Sequence, residues 1–116
     1  MFFKAIPTLS VPDVLDASAF YADVLQFKKG WTWGEPPRHA SVSLEEIEIH
    51  FAQGKAEPTE AFWIYLSVGD IEKIYDHCKN SNLPLKGELE EKPWGMREFT
   101  ILDLNGYKLR FGSSTE

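Results

Sequence analysis

The chain repeats itself, and this constrains the fold more than any other feature of the sequence. Leu9-Ser10-Val11-Pro12-Asp13-Val14 returns as Leu66-Ser67-Val68-Gly69-Asp70-Ile71. A second echo follows at nearly the same interval, Ile47-Glu48-Ile49-His50-Phe51 against Tyr107-Lys108-Leu109-Arg110-Phe111. Two echoes in the same order mean two copies of one structural unit. In each copy the first echo ends a strand-like alternation and leads into helical spacing. Phe20, Tyr21, Val24 and Leu25 form the stripe in the first copy, and Ile71, Ile74, Tyr75 and Cys78 in the second. Asp13 and Asp70 stand where a helix N-cap belongs.

Each unit therefore reads as strand, helix and three strands. The first has strands near 4–10, 28–33, 39–44 and 47–52 and a helix near 14–25. The second has strands near 62–68, 84–90, 97–103 and 107–111 and a helix near 71–81. Leu44-Glu45-Glu46 and Asp103-Leu104-Asn105-Gly106 supply turns before the last strand of each unit, Asn-Gly being a strong hairpin signal. Residues 53–60 are polar and turn-rich and form the linker. At 116 residues the chain is expected to be a single domain, 1–116, made of two modules at about 1–53 and 61–112. Neither module alone is long enough for a sufficient core, so the two are expected to share one.

Strand alternation sorts side chains onto two faces. Ile47, Ile49 and Phe51 go to the core, as do Tyr107, Leu109 and Phe111, and Phe62, Ile64, Leu66 and Val68. The other face carries Thr8, Ser10, Glu48, His50, Trp63, Tyr65, Ser67, Lys108 and Arg110. An antiparallel sheet with one wet face would show the same alternation. Trp63 and Tyr65 favour a pocket, since both would otherwise expose much apolar surface.

Charge narrows the partners. The net charge of −6 opposes binding to a phosphate backbone and would draw in a cation. No apolar run approaches the ~20 residues of a membrane span, and the N-terminal MFFKAIPTL is short for a secretion leader. One cysteine, Cys78, cannot form a disulfide within its own chain. The expected compartment is the cytoplasm.

The βαβββ-βαβββ order, the two LSV-x-D segments and Phe20-Tyr21 followed by Val24-Leu25 resemble the glyoxalase, bleomycin-resistance and extradiol-dioxygenase superfamily. Pro93-Trp94-Gly95-Met96-Arg97-Glu98-Phe99, with Asp103 to Gly106 after it, looks like the PWG-x-REF…D-x-x-G signature of its bleomycin-resistance proteins. The resemblance implies an α+β vicinal-oxygen-chelate fold, paired βαβββ modules forming a curved mixed-sheet cleft, and a homodimer. It also implies sequestration of a small drug-like or metabolite ligand without turnover, of which a bleomycin-type glycopeptide is the family's example.

Enzymes of the superfamily hold a divalent metal on the first, fourth, fifth and eighth strands. Those positions fall at Ile6, about His50, Trp63 and about Arg110. Only His50 could ligate, and catalytic metals usually take about three protein ligands. No cofactor, metal or catalytic residue is therefore expected. The expected ligand-binding set is Trp31, Glu48, His50, Trp63, Tyr65, Trp94, Glu98 and Arg110. Lys28-Lys29-Gly30 before Trp31, where resistance proteins commonly carry an acid, and the cations Lys108 and Arg110 also admit an anionic or zwitterionic ligand. The alternative is a glyoxalase- or dioxygenase-like metalloenzyme with an altered metal site, which predicts stoichiometric metal lost on His50→Ala.

Overall fold

The computed structural model describes residues 1–115. They form β1 (Thr8–Val11), α1 (Val14–Asp23), β2 (Lys28–Trp33), β3 (His39–Leu44), β4 (Ile47–Gln53), β5 (Trp63–Ser67), α2 (Ile71–Asn80), β6 (Glu90–Glu91), β7 (Met96–Leu102) and β8 (Lys108–Ser114). The chain divides into two compact units, one ending at Glu57 and the other beginning at Pro58. Each holds one four-stranded mixed sheet, ordered β1-β4-β3-β2 in the first and β5-β8-β7-β6 in the second. The first and last strands of each unit run parallel side by side, the helix leads from the first strand to the second at the far edge, and the remaining pairs are antiparallel. The repeat in sequence is thus a repeat in topology.

Both helices start on the expected aspartates. The Asp13 carboxylate accepts from the amides of Leu15 and Asp16, and that of Asp70 from Lys73. In the first unit α1 buries Val14, Ala17 and Tyr21 against Ile49 and Phe51. This stripe lies a turn earlier than the expected Phe20, Val24 and Leu25, because the helix ends at Asp23 and Gln26 turns back at φ 67°. In the second unit Ile71 and Cys78 are buried, Tyr75 packs on Phe99 at 5.1 Å, and Phe99 stacks on Phe111 at 4.8 Å. Among the described residues no helix is long and apolar enough to cross a membrane.

Three expectations need correction. The strand expected near 84–90 is only Glu90–Glu91. Leu85 makes one bridge to Ile101 before Gly87, at φ 99°, breaks the ladder. The first strand begins at Thr8 rather than near residue 4, since Pro7 has no N–H to donate. Phe62, expected in the core, precedes β5 and is exposed. The turn at Asp103 to Gly106 lies where it was expected: Leu102 and Lys108 are the last pair, and the Asp103 carboxylate caps the amides of Asn105 and Tyr107.

Cys78 is fully buried, and burial pushes its thiol up to about 11. With the thiolate as the reacting form, a disulfide-exchange reagent at pH 8 should leave native protein untouched and titrate one thiol per chain in denaturant. Rapid labelling of the native state would contradict the packing of α2.

Candidate functional site

In the first unit, pairing puts Ser41 opposite His50 and Ser43 opposite Glu48, so all four side chains share the face away from α1. Glu48 is the hub. Its Oε1 accepts from Lys4 Nζ at 2.5 Å and its Oε2 from His50 Nε2 at 2.6 Å. These two bonds, Lys4 first, hold the carboxyl below the ordinary glutamate range, so it is an anion at neutral pH. The edge strand β2 carries a bulge between Lys29 and Thr32. A Cβ on Gly30 would lie 2.1 Å from Ser41 Oγ, the atom that accepts the Trp31 amide at 3.0 Å. Glycine there lets the bulge close on Ser41. The extra residue brings Trp31 onto the His50 face, with ring centroids 4.8 Å apart. Trp33, opposite His39, follows onto the same face.

In the second unit the face away from α2 is set by two ladders. Trp63 pairs with Lys108 and Tyr65 with Arg110 across β5–β8, while Thr100 pairs with Arg110 and Glu98 with Gly112 across β7–β8. The Arg110 guanidinium lies 4.7 Å from the Trp63 ring centroid and its Nε donates to Thr100 Oγ1 at 3.1 Å. Lys108 Nζ is 5.1 Å from the same ring and donates to the Glu60 carbonyl at 2.7 Å and carboxylate at 3.2 Å.

Glu98 is 4% exposed, and its Oε2 accepts from Tyr65 Oη at 2.7 Å and Trp94 Nε1 at 3.1 Å. Burial of its hydroxyl, with the hydrogen bond to Glu98 second, pushes Tyr65 up to about 12, so the phenol stays protonated and donating at neutral pH. Tyr65 reaches Glu98 diagonally over Gly112, where an added Cβ would sit 1.8 Å from the phenol oxygen. A recess of about 130 Å³ opens beside these groups, lined by Trp94, Glu98, Thr100 and Arg110 together with Lys86, Glu88, Glu90, Lys92 and Phe99.

The eight expected residues therefore fall into two constellations. Trp31, Glu48 and His50 make one in the first unit, and Trp63, Tyr65, Trp94, Glu98 and Arg110 the other in the second. Four further residues shape them. Gly112 and Thr100 are visible only through strand register. Ser41 and Trp33 depend on the bulge, for which Gly30 is the one local signal.

The profile described as the Glyoxalase/Bleomycin resistance protein/Dioxygenase superfamily matches residues 6–111. The chain belongs to this superfamily. Solved structures agree on the fold. TioX from Micromonospora sp. ML1 superposes with a TM-score of 0.81 at 18% identity, over 94% of this chain and 96% of that one. A superfamily member from Sphaerobacter thermophilus DSM 20745 gives 0.80 at 21% identity, covering 98% of each. The bleomycin-binding protein of bleomycin-producing Streptomyces verticillus, complexed with copper(II)-bleomycin, gives 0.76 at 21% identity, over 100% of this chain and 98% of that one. No curated protein matches the chain.

The superfamily's metal positions do not fit a metal here. Ile6 and Trp63 have no donor atom of the kind a hard cation takes, and Arg110 presents a cation already bonded to Thr100. His50 turns Nε2 to Glu48. Among the described residues no group of three His, Cys, Asp or Glu could hold an ion.

Proposed function

We propose that this superfamily member binds and sequesters a small drug-like or metabolite ligand, without turnover, using the helix-free faces of its two modules. One observation carries the reading. Trp31, Trp33, Trp63, Tyr65 and Trp94 are each between 41% and 63% exposed, and all belong to the two constellations described above. Large amphipathic rings grouped with a few anchored polar groups are what a ligand site needs, and ordinary surfaces seldom gather them. The fold is shared with a protein that was solved with copper(II)-bleomycin, which makes a bleomycin-type glycopeptide the first ligand to try.

The proposal extends to the assembly. The two modules act as one domain, and the chain works as a homodimer in the cytoplasm. Support for the dimer comes from the sheets, which leave β1 and β2 at the edges of one and β5 and β6 at the edges of the other. A monomer in sedimentation at micromolar concentration would remove the dimer.

The functional test is titration of metal-stripped protein with metal-free and copper-loaded bleomycin, followed by tryptophan fluorescence and checked by calorimetry. Saturable quenching at one ligand per subunit is expected. Trp94→Ala should weaken it by roughly tenfold, the scale of one stacked ring. A flat trace rejects bleomycin as the ligand.

A further inference from the structure

Two opposite charges on the helix-free face of the second unit have no ionic partner among the described residues. Glu98 is buried, yet both of its bonds come from neutral donors and fall on Oε2, leaving Oε1 without a donor among the described residues. Arg110 donates through Nε to a neutral hydroxyl, and its two terminal nitrogens meet no acceptor among the described residues. The neighbouring lysines differ. Lys92 pairs with Glu90, and Lys86 and Lys108 both reach Glu60.

A buried carboxylate left without a cation is costly unless something answers its charge. The two groups are also prevented from answering each other. Tyr65 and Trp94 hold Glu98, while Thr100 and the Trp63 ring hold Arg110. Arg110 is paired directly with Thr100, so Glu98 is its diagonal neighbour on the same face, with Cα atoms about 7–8 Å apart. Both line the same recess, with Trp94 beside them. Opposite charges on diagonal neighbours of one recess suit a small molecule carrying a cationic and an anionic group a few bonds apart.

We propose that this recess receives the zwitterionic head group of an α-amino acid. The ammonium donates to Glu98 Oε1, the carboxylate accepts from the terminal nitrogens of Arg110, and the ligand's side chain lies against Trp94. This assigns a ligand class and rests on the reading that the face binds a small molecule.

Calorimetry on the full chain with L-phenylalanine, N-acetyl-L-phenylalanine and L-phenylalaninamide separates the two charges. L-Phenylalanine should bind at one site per chain, and each blocked form at least about tenfold more weakly. Glu98→Gln keeps an acceptor for Tyr65 and Trp94 and should bind phenylalanine and its N-acetyl form alike. Arg110→Met should bind phenylalanine and its amide alike. If either variant fails to fold, the three ligands on the unaltered protein decide the matter. Equal binding of all three, or no binding of phenylalanine, overturns the proposal. Phenylalanine failing while bleomycin saturates overturns the amino-acid proposal and leaves sequestration standing, and failure of both overturns it and also rejects bleomycin as the ligand.

Discussion

Phe51→Ala is expected to cost about 3–5 kcal/mol of stability, the range for deleting a large buried ring. Phe51 is 0% exposed and sits at the middle of β4, paired to Leu9 on one side and Ala40 on the other. Its ring meets Tyr21 of α1 at 5.3 Å, so it joins helix to sheet in the first unit. Alanine would leave a cavity there that neither the parallel β1–β4 ladder nor the capped helix can collapse into. Thermal denaturation should show a midpoint lower by upward of about 10 °C. Trp33→Ala, at a ring 60% exposed, should stay within about 1 kcal/mol of the parent. Comparable losses from both would mean that the division between core face and helix-free face is wrong.

Gly112→Ala should act at a distance through Tyr65. The new methyl would lie 1.8 Å from the phenol oxygen and 2.5 Å from the ring carbon bearing it, so the ring must swing away. Glu98 then loses its shorter hydrogen bond while remaining buried, a cost of about 1–3 kcal/mol. A Tyr65→Ala background removes the three atoms nearest the new methyl, and the same substitution should then be close to neutral. A double-mutant cycle would thus give a coupling of at least about 1 kcal/mol. Spectrophotometric titration supplies a second reading. Tyr65, held up at about 12 by burial and by Glu98, should fall back toward the ordinary tyrosine value once released. Additive stability losses with an unmoved tyrosine titration would contradict the reach of Tyr65 over Gly112.

What could be read in advance followed from local periodicity. Ile49 and Phe51 against Glu48 and His50, and Leu109 and Phe111 against Lys108 and Arg110, separate correctly because facing alternates with every residue of an unbroken strand. The N-caps at Asp13 and Asp70 are equally local. Reading faltered where one residue changed the phase or the backbone. Pro7 delayed the first strand, Gly87 broke the ladder before β6, and the bulge at Gly30-Trp31 brought both Trp31 and Trp33 to the His50 face. Glu98 lacked a phase until β7 was placed against β8.

The sequence by itself determined the two-copy architecture, the superfamily, the faces of the regular strands and the mismatch at the metal positions, all of which depend on residue type and short-range spacing. Tertiary structure alone decided which polar groups meet. It carried Tyr65 over Gly112 to Glu98, put Arg110 between Thr100 and Trp63, and left that carboxylate and that guanidinium without ionic partners among the described residues. The physical reason is register. A strand's own alternation says which way a side chain points, but its neighbours across the sheet are fixed only when distant segments pair, and one bulge or glycine resets that pairing.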